Sequence, residues 1–568
     1  MGEDGPLLGP AEVDERVAPV DLDRAEQADV DGGLVRLLPA VHLARSTTGF
    51  GDRGGRLGAE VVTVVGRLSA AFQRSASADP HGGAIDQIAR TTKRKPPMSI
   101  TTVPARPNTY HDAIEDFRAR FSGAVLTVDD EGYDNARTGW NLALDQHPAL
   151  IAVAATTADI ATAVRFARRN GLKVAVKATG HGQAKAANGA LLIVTANLTE
   201  VTIDPVAQTA YVAAGAKWGA VLAPAQRHAL APLLGSTTDV GAVGYTLGGG
   251  MGWLARRYGL ASDSVVAFDL VTPDGVEVRA SAAEQPELFW ALKGGGAGSL
   301  GVVTGMEIQL VPVTTVYGGN LLYPVGMARE VIARWREWVA EAPRELTSSV
   351  VLMNFPPIED VPAPIRGQSF VIVRGAYCGD LDTGQALVDR WRQWREPAVD
   401  MWGPMPFGEA DTISNDPVDP LPAMVTTEWA DELTDEVADI LIGAAGPAVP
   451  GRPPLLTFAE VRHAGGAVRE LAAGAANRIG RQDEFLIELV GMIPFPELGA
   501  PLADLLGRTR VALAPHVTGA TYLNVTEGDE KQERSATAFG PEERERLAAV
   551  KRTLDGEDRF DHGVVLAG

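Results

Sequence analysis

Cysteine is almost absent from this chain of 568 residues: Cys378 stands alone, which excludes an internal disulfide and any zinc site built from several thiolates. Aromatic side chains are sparse, at 6 % overall, and only Phe50 and Phe72 precede Tyr110. Basic residues are in deficit, 51 against 72 acidic, for a net charge of -21. That balance excludes a general binder of nucleic acid, whose affinity comes from clustered Lys and Arg on phosphates. Long apolar runs are missing too. Nothing approaches the roughly 20 residues of a membrane-spanning helix, and the acidic N-terminus lacks the basic start and apolar stretch of a secretory signal. A reducing cytoplasm, no membrane partner and no metal are the expectations, with oligomeric state left open.

The first hundred residues stand apart. An acidic, aromatic-poor stretch runs up to the basic cluster and Pro96-Pro97, followed by Met98. Residues 1–97 read either as a disordered or non-native extension, with Met98 as the functional start, or as a flexible arm.

From about Asp112 the local signals sharpen. "TTADIATAVRFARRNGLKVAVK" predicts a helix with a Thr cap, Ile160, Ala163, Val164 and Ala167 on one face, and a stop at Asn170-Gly171 before a strand. "EVTIDPVAQTAYVAAGA" reads as two strands around Asp204-Pro205, and "KWGAVLAPAQRHAL" as a helix. "SVVAFDLVTPDGVEVRA" is a hairpin turning at Pro273-Asp274-Gly275. Between about Thr314 and Val511, β runs such as "QSFVIVRGAYC" and "EFLIELVGMI" mix with Trp-bearing helices. The pattern predicts an antiparallel sheet covered by helices on one face, hence an α+β chain.

Glycine is what this chain has in plenty, 62 residues of it, with clusters at "ATGHG", "GAVGYTLGGGMG" and "LKGGGAGSLGVVT". Glycine lets a backbone adopt positive φ and approach a ligand closely, and successive N–H groups in such turns suit a pyrophosphate. Gly250 to Ala255 fits the G-x-G-x-x-G/A dinucleotide pattern, with Asp269 and Asp274 about twenty residues on. A Rossmann unit needs a parallel strand after its helix, however, and here the next strand turns back on itself. The nicotinamide reading therefore fails on topology.

The three blocks in this order, "HPALIAVAATTADIATAVRFARRNGLKVAVKATGHG", "LGSTTDVGAVGYTLGGGMGWLARRYGLASDSVVAFDLVTPDG" and "PELFWALKGGGAGSLGVVTGMEIQLVPV", resemble the FAD-linked oxidases of the vanillyl-alcohol oxidase/PCMH superfamily. "ATYLNV" and "RLAAVKRTLDGEDRF" are similar to the berberine-bridge-enzyme-like branch, so that the likeness covers about Gly139 to Phe560. The resemblance implies a two-domain PCMH-type fold: an FAD-binding domain over 98–313, an antiparallel-sheet substrate domain over 314–510, and a C-terminal segment, 511–568, returning to the FAD domain. It also implies a covalent bond from a ring nitrogen of His181 to the flavin. Imidazole is a good nucleophile when neutral, and Gly180 and Gly182 leave room for a flat ring. The simpler role for His181 is a hydrogen bond to the flavin or to its own loop.

Where some relatives carry a second, cysteine tether this chain has Thr237, so at most one covalent link is expected. Lys177, Thr179, Val525 and Leu554 are further departures from the family pattern. Cofactor contacts are expected from Lys177, Ala178, Thr179, Gly180, His181, Gly182 and Gln183, then Gly235, Ser236, Thr237, Asp239, Gly241, Gly244, Gly249 and Gly250, with Val302 and Asn524. The short helix after "GGGMG" offers its N-terminus to a phosphate.

Two groups are candidates to take a substrate proton. Tyr522, in "TYLNV", needs a positive neighbour, because a free phenol titrates near pH 10. Glu488, in "EFLIELVG", has a raised pKa if buried, although strand alternation favours its pointing to water. His463 is a weaker candidate. The implied reaction is hydride transfer from an alcohol, sugar or secondary metabolite to flavin, with O2 as acceptor. Oxidative cyclisation, amine oxidation, and flavin binding without turnover are the alternatives.

Overall fold

The computed structural model describes residues 108–359, 361–447 and 454–566. The N-terminal stretch and the start at Met98 lie outside the described residues. Thr156 caps the helix Thr157–Arg169: its hydroxyl accepts from the Asp159 amide, and the Asp159 carboxylate accepts in return. Ile160, Ala163, Val164 and Ala167 are fully buried, as their spacing predicts. This helix packs on a four-stranded sheet in the order Ala124–Leu126, Leu150–Val153, Leu191–Val194, Val174–Lys177, of which only the first pair is antiparallel.

A second, antiparallel sheet has the order Val201–Asp204, Thr209–Ala213, Val302–Gln309, Val265–Val271, Glu277–Ser281. Val271 pairs with Glu277 across the Pro273-Asp274-Gly275 turn, where Gly275 takes φ +82°. The return strand is antiparallel, so no Rossmann unit forms here.

The largest sheet is antiparallel throughout. Its order is Val399–Asp400, Thr315–Pro324, Ser369–Tyr377, Leu346–Asn354, Phe458–His463, Phe485–Met492, Ala423–Ala430, with Gly403–Pro406 added at the edge of Thr315–Pro324. Helices Ala328–Ala340, Leu381–Trp394, Asp435–Ala445 and Gly499–Leu513 cover one face, burying Trp335, Trp338 and Trp391 against Val350, Val461, Ile487 and Leu489. The alternating residues of the same strands point the other way, toward the glycine-rich loops. Residues beyond Gly499–Leu513 run back across the first two sheets. Lys551 Nζ donates to the Ser299 carbonyl at 3.0 Å, and the Val174 amide to the Arg559 carbonyl at 2.9 Å. No helix among the described residues is long and apolar enough to cross a membrane.

Trp335 is fully buried under the large sheet and donates its indole N–H to Ser348 Oγ at 3.0 Å. Trp335→Ala should cost about 3–5 kcal/mol, from the cavity left behind. Chemical denaturation of the two proteins under the same buffer checks this.

Candidate functional site

The loop after strand Val174–Lys177 can make its turn only with glycine. Gly180 and Gly182 take φ +82° and +61°, and a Cβ on Gly180 would lie 2.4 Å from the Gly139 Cα. That approach brings Trp140 over His181, with ring centroids 4.8 Å apart and planes 21° from parallel. The Trp140 amide donates to the Thr179 carbonyl and its indole N–H to the Val418 carbonyl, both at 3.2 Å, which fixes the ring. Nδ1 of His181 lies 2.8 Å from Thr179 Oγ1. Burial pulls the imidazole down to about 4, opposed by Asp239 and aided by Lys217, so it is neutral at pH 7.

The C-terminal segment grips the same loop. The Gly182 amide donates to Glu527 Oε1 at 3.1 Å, and Lys531 Nζ donates to the Gly182 carbonyl at 2.9 Å. Asn141 holds Glu527 Oε2 through its side-chain amide, which also donates to the Ala423 carbonyl at the edge of the large sheet. Burial raises the Glu527 carboxyl and lowers the Lys531 ammonium to about 8. Lys177 Nζ is spent on the Thr138 carbonyl at 2.5 Å, with its pKa also lowered to about 8 by burial.

These loops line a cavity of about 350 Å³ between the glycine blocks and the large sheet. Residues 177–183 form one wall, and Ser236, Thr237, Gly241, Gly244 and Asn524 another. Gly296 and Gly298, both at positive φ, close it together with His562 and Gly563. Asn524 donates to the Tyr245 carbonyl at 2.8 Å, and Gly248 must be glycine because a Cβ would lie 2.3 Å from Asn524 Oδ1.

Several expected contacts lie elsewhere. Val302 is fully buried among Ile160, Val164 and Val271, as part of the core between the first two sheets. Asp239 turns away to Lys217 at 2.6 Å and reaches His181 only through its charge. Gly235 and Gly250 are glycine because the Tyr245 ring occupies the place of a Cβ, and Gly249 because Asn477 does. None of these five lines the cavity. The helix after the triple glycine, Ala255–Tyr258, is a single turn and also lies outside the cavity wall. Cys378 is buried away from it as well.

Both acid–base candidates line the cavity. Glu488 does not point to water: it is 6 % exposed, beside Arg462 Nη2 at 3.3 Å, and its Oε2 accepts no hydrogen bond. Burial, reinforced by Glu460 and Asp416 against the pull of Arg462, pushes its carboxyl up to about 7. Tyr522 accepts the Met251 amide on its hydroxyl at 2.7 Å and packs edge-on against Trp429. Arg462 supplies the positive neighbour, yet burial still drives the phenol well above its ordinary value. His463 lies outside the cavity, against Arg256 and Phe485.

The sequence reading missed Trp140, Asn141, Asp416, Arg462, Glu527, Lys531 and His562. Only Glu527 and Lys531 carried a local signal, an i, i+4 pair just after the tail motif.

The cavity suits a long, flat cofactor with a polar tail. A Cβ on Gly244 would meet nothing within 4 Å, so the wall there stands open to a ligand. Asn524 Oδ1 is buried on the same wall, by Gly248, without a hydrogen-bond partner, an acceptor that an N–H or O–H of the cofactor would satisfy. The residues present fit FAD.

Comparison with known proteins agrees. Residues 148–281 match the FAD binding domain model. The chain is 29 % identical over 472 residues to the (R)-6-hydroxynicotine oxidase of Paenarthrobacter nicotinovorans, covering 78 % of this chain and 95 % of that protein. It is 29 % identical over 306 residues to an uncharacterized FAD-linked oxidoreductase, YgaK, of Bacillus subtilis, spanning 53 % of this chain and 65 % of that one. The structure of berberine bridge enzyme from Eschscholzia californica superposes with a TM-score of 0.67 at 18 % identity, covering 79 % of this chain and 98 % of that one.

Removing the Glu527 carboxylate frees the Gly182 amide and strands a buried Lys531. Glu527→Ala should carry less FAD per protein than the parent once purified and desalted. Glu527→Gln, which still accepts from Gly182, should lose less. The ratio of flavin to protein absorbance after the column checks both.

Proposed function

We propose that this chain, in which residues 148–281 match the FAD binding domain and which has the fold of berberine bridge enzyme, is an FAD-dependent oxidase of an alcohol, with Glu488 as proton acceptor, His181 as covalent anchor of FAD, and O2 as final acceptor. The observation that carries this reading is the Glu488 carboxylate: buried, lining the cavity, accepting no hydrogen bond at Oε2 beyond its ion pair with Arg462, and pushed up to about 7 by burial. A group poised there holds a useful fraction of base at pH 7 while remaining able to keep a proton once it has taken it. FAD held by this wall would supply a two-electron acceptor for the hydride of the alcohol carbon, with O2 as the oxidant that regenerates it and hydrogen peroxide as the product.

The rest falls to this chain's own groups. Glu488 Oε2 takes the hydroxyl proton as the C–H bond breaks. Arg462, 3.3 Å away, stabilises that carboxylate before the transfer and orients it. Tyr522 stays protonated, so its part is to donate: with the Met251 amide already on its oxygen, its hydrogen is available to a substrate oxygen. A neutral His181, stacked by Trp140 and flanked by two glycines, has the protonation state and the clearance that a ring-nitrogen bond to flavin needs. With Thr237 at the cavity wall and Cys378 remote from it, His181 is the single anchor.

Acid precipitation separates tethered from loose flavin. Yellow colour should stay in the pellet of the parent protein and appear in the supernatant for His181→Ala; yellow released from the parent itself sinks the tether.

The base has its own signature. Glu488 must be ionised to accept a proton, so kcat/KM should rise with pH through about 7 and level off above it. Glu488→Gln should lower kcat by about 10²–10⁴-fold and remove that limb of the profile. An unchanged limb in the variant assigns the titration to another group.

A further inference from the structure

Strand alternation divides the sheet wall of the cavity into two rows. Glu488 lies between Glu460 and Thr427 on its neighbouring strands, while Val490, two residues on, lies between Phe458 and Val425. Two residues along a strand is about 7 Å, so a polar row and an apolar row run side by side across one face. Tyr522 marks the polar row as the reacting end, because its amide donates to Thr427 Oγ1 at 3.3 Å and its hydroxyl reaches Met251 beside the triple glycine. Beyond the apolar row the wall continues in Met492, which pairs with Ala423.

Charge at the polar row is already balanced toward the negative. Arg462 is shared by Glu460 Oε2 at 3.1 Å and Glu488 Oε2 at 3.3 Å, and Glu460 also holds Arg374 at 2.7 Å. Asp416 lines the same cavity, takes the Ser236 hydroxyl at 2.6 Å, and bears on both Arg462 and Glu488. Two arginines thus face three carboxyl groups. A substrate acid entering at this row would meet two carboxyl groups on the wall and an arginine already shared between carboxylates, and like charges at such range cost several kcal/mol in complexes.

We infer that the substrate is an alcohol with a largely apolar body and no acid group, its hydroxyl at Glu488 and its body on Val425, Phe458 and Val490, so that sugars and hydroxy acids are excluded. The inference rests on the alcohol-oxidising reading and narrows it. A polyol laid along the wall would place unpaired hydroxyls against Val490 and Phe458, where desolvation penalises each one that finds no partner.

The purified flavin-loaded enzyme, mixed anaerobically with three probe series, tests this. Cinnamyl alcohol, benzyl alcohol and cyclohexanol represent the apolar class; glucose and cellobiose the sugars; lactate and glycolate the acids. A protein without a flavin spectrum overturns the parent reading itself. With flavin present, the inference predicts bleaching or a shift of the flavin band by the apolar series, at concentrations at least tenfold below any response to the other two. A response to sugars or acids at equal concentration, or none to the apolar series by either measure, overturns the inference and leaves the enzyme class standing.

Val490→Asp places a charge in the apolar row and should raise KM for the best apolar alcohol tenfold or more, with a much smaller change in the limiting rate of flavin reduction. If that variant does not accumulate as folded protein, Phe458→Ala carries the same expectation. An unchanged KM in the variant that folds removes the apolar row from recognition.

Discussion

Gly182 is held on both of its backbone polar atoms by buried charges from a chain segment more than three hundred residues away. The site depends on this grip. A buried carboxylate and a buried ammonium each cost several kcal/mol to desolvate, and the cost is offset only when every polar atom finds a partner. Glu527 has the Gly182 amide and the Asn141 side chain; Lys531 has the Gly182 carbonyl. Asn141 in turn bonds the edge of the large sheet at Ala423 in both directions. One small network therefore ties the His181 loop, the C-terminal segment and the large sheet together. No one of the three reaches this geometry without the other two.

The same burial pushes several groups of the cavity wall toward their neutral forms. His181 and Lys177 are pushed down, Glu488 and Tyr522 up. Local charges then decide which group titrates within reach of pH 7. Arg462 opposes the rise of Glu488 and leaves it near neutrality, whereas the same guanidinium is too weak to bring Tyr522 down to a working range. The proposed division of labour between a carboxylate that accepts and a phenol that donates follows from one desolvating environment and one positive charge.

Local features were legible in the sequence because their causes are local. The Thr cap, the helix face through Ile160 and Val164, the Pro273-Asp274-Gly275 hairpin and the strand patterns of the large sheet all rest on spacing within a dozen residues. The glycine blocks announced a cofactor, but not which glycines face it: Gly244 opens on the cavity, while Gly235 and Gly250 make room for Tyr245. That distinction depends on a ring packed from another part of the block, which spacing does not encode. Val302 lies off the cavity wall for a similar reason, since a strand that passes near the site buries its first residue in the core behind it. Glu527, Lys531, Asn141 and Arg462 acquire their roles from partners on other segments, and a lone charged residue in a polar tail or on a strand carries no mark of such a partner.

Strand alternation is what keeps the two halves of the site independent. On Phe485–Met492 the residues Ile487 and Leu489 belong to the helix-covered core with the tryptophans, and Glu488 and Val490 to the cavity. A change at Val490 or Phe458 alters the cavity wall without entering the helix-covered core, because the two sets point to opposite faces. The glycine wall has less freedom: Gly180, Gly182, Gly296 and Gly298 are at positive φ, and the His181 loop is bound through Gly182 to the C-terminal segment. The glycine wall of the cavity is therefore set by backbone geometry, and the sheet wall by side chains on one face. A fold built this way can keep the first wall while a few alternating positions vary the second.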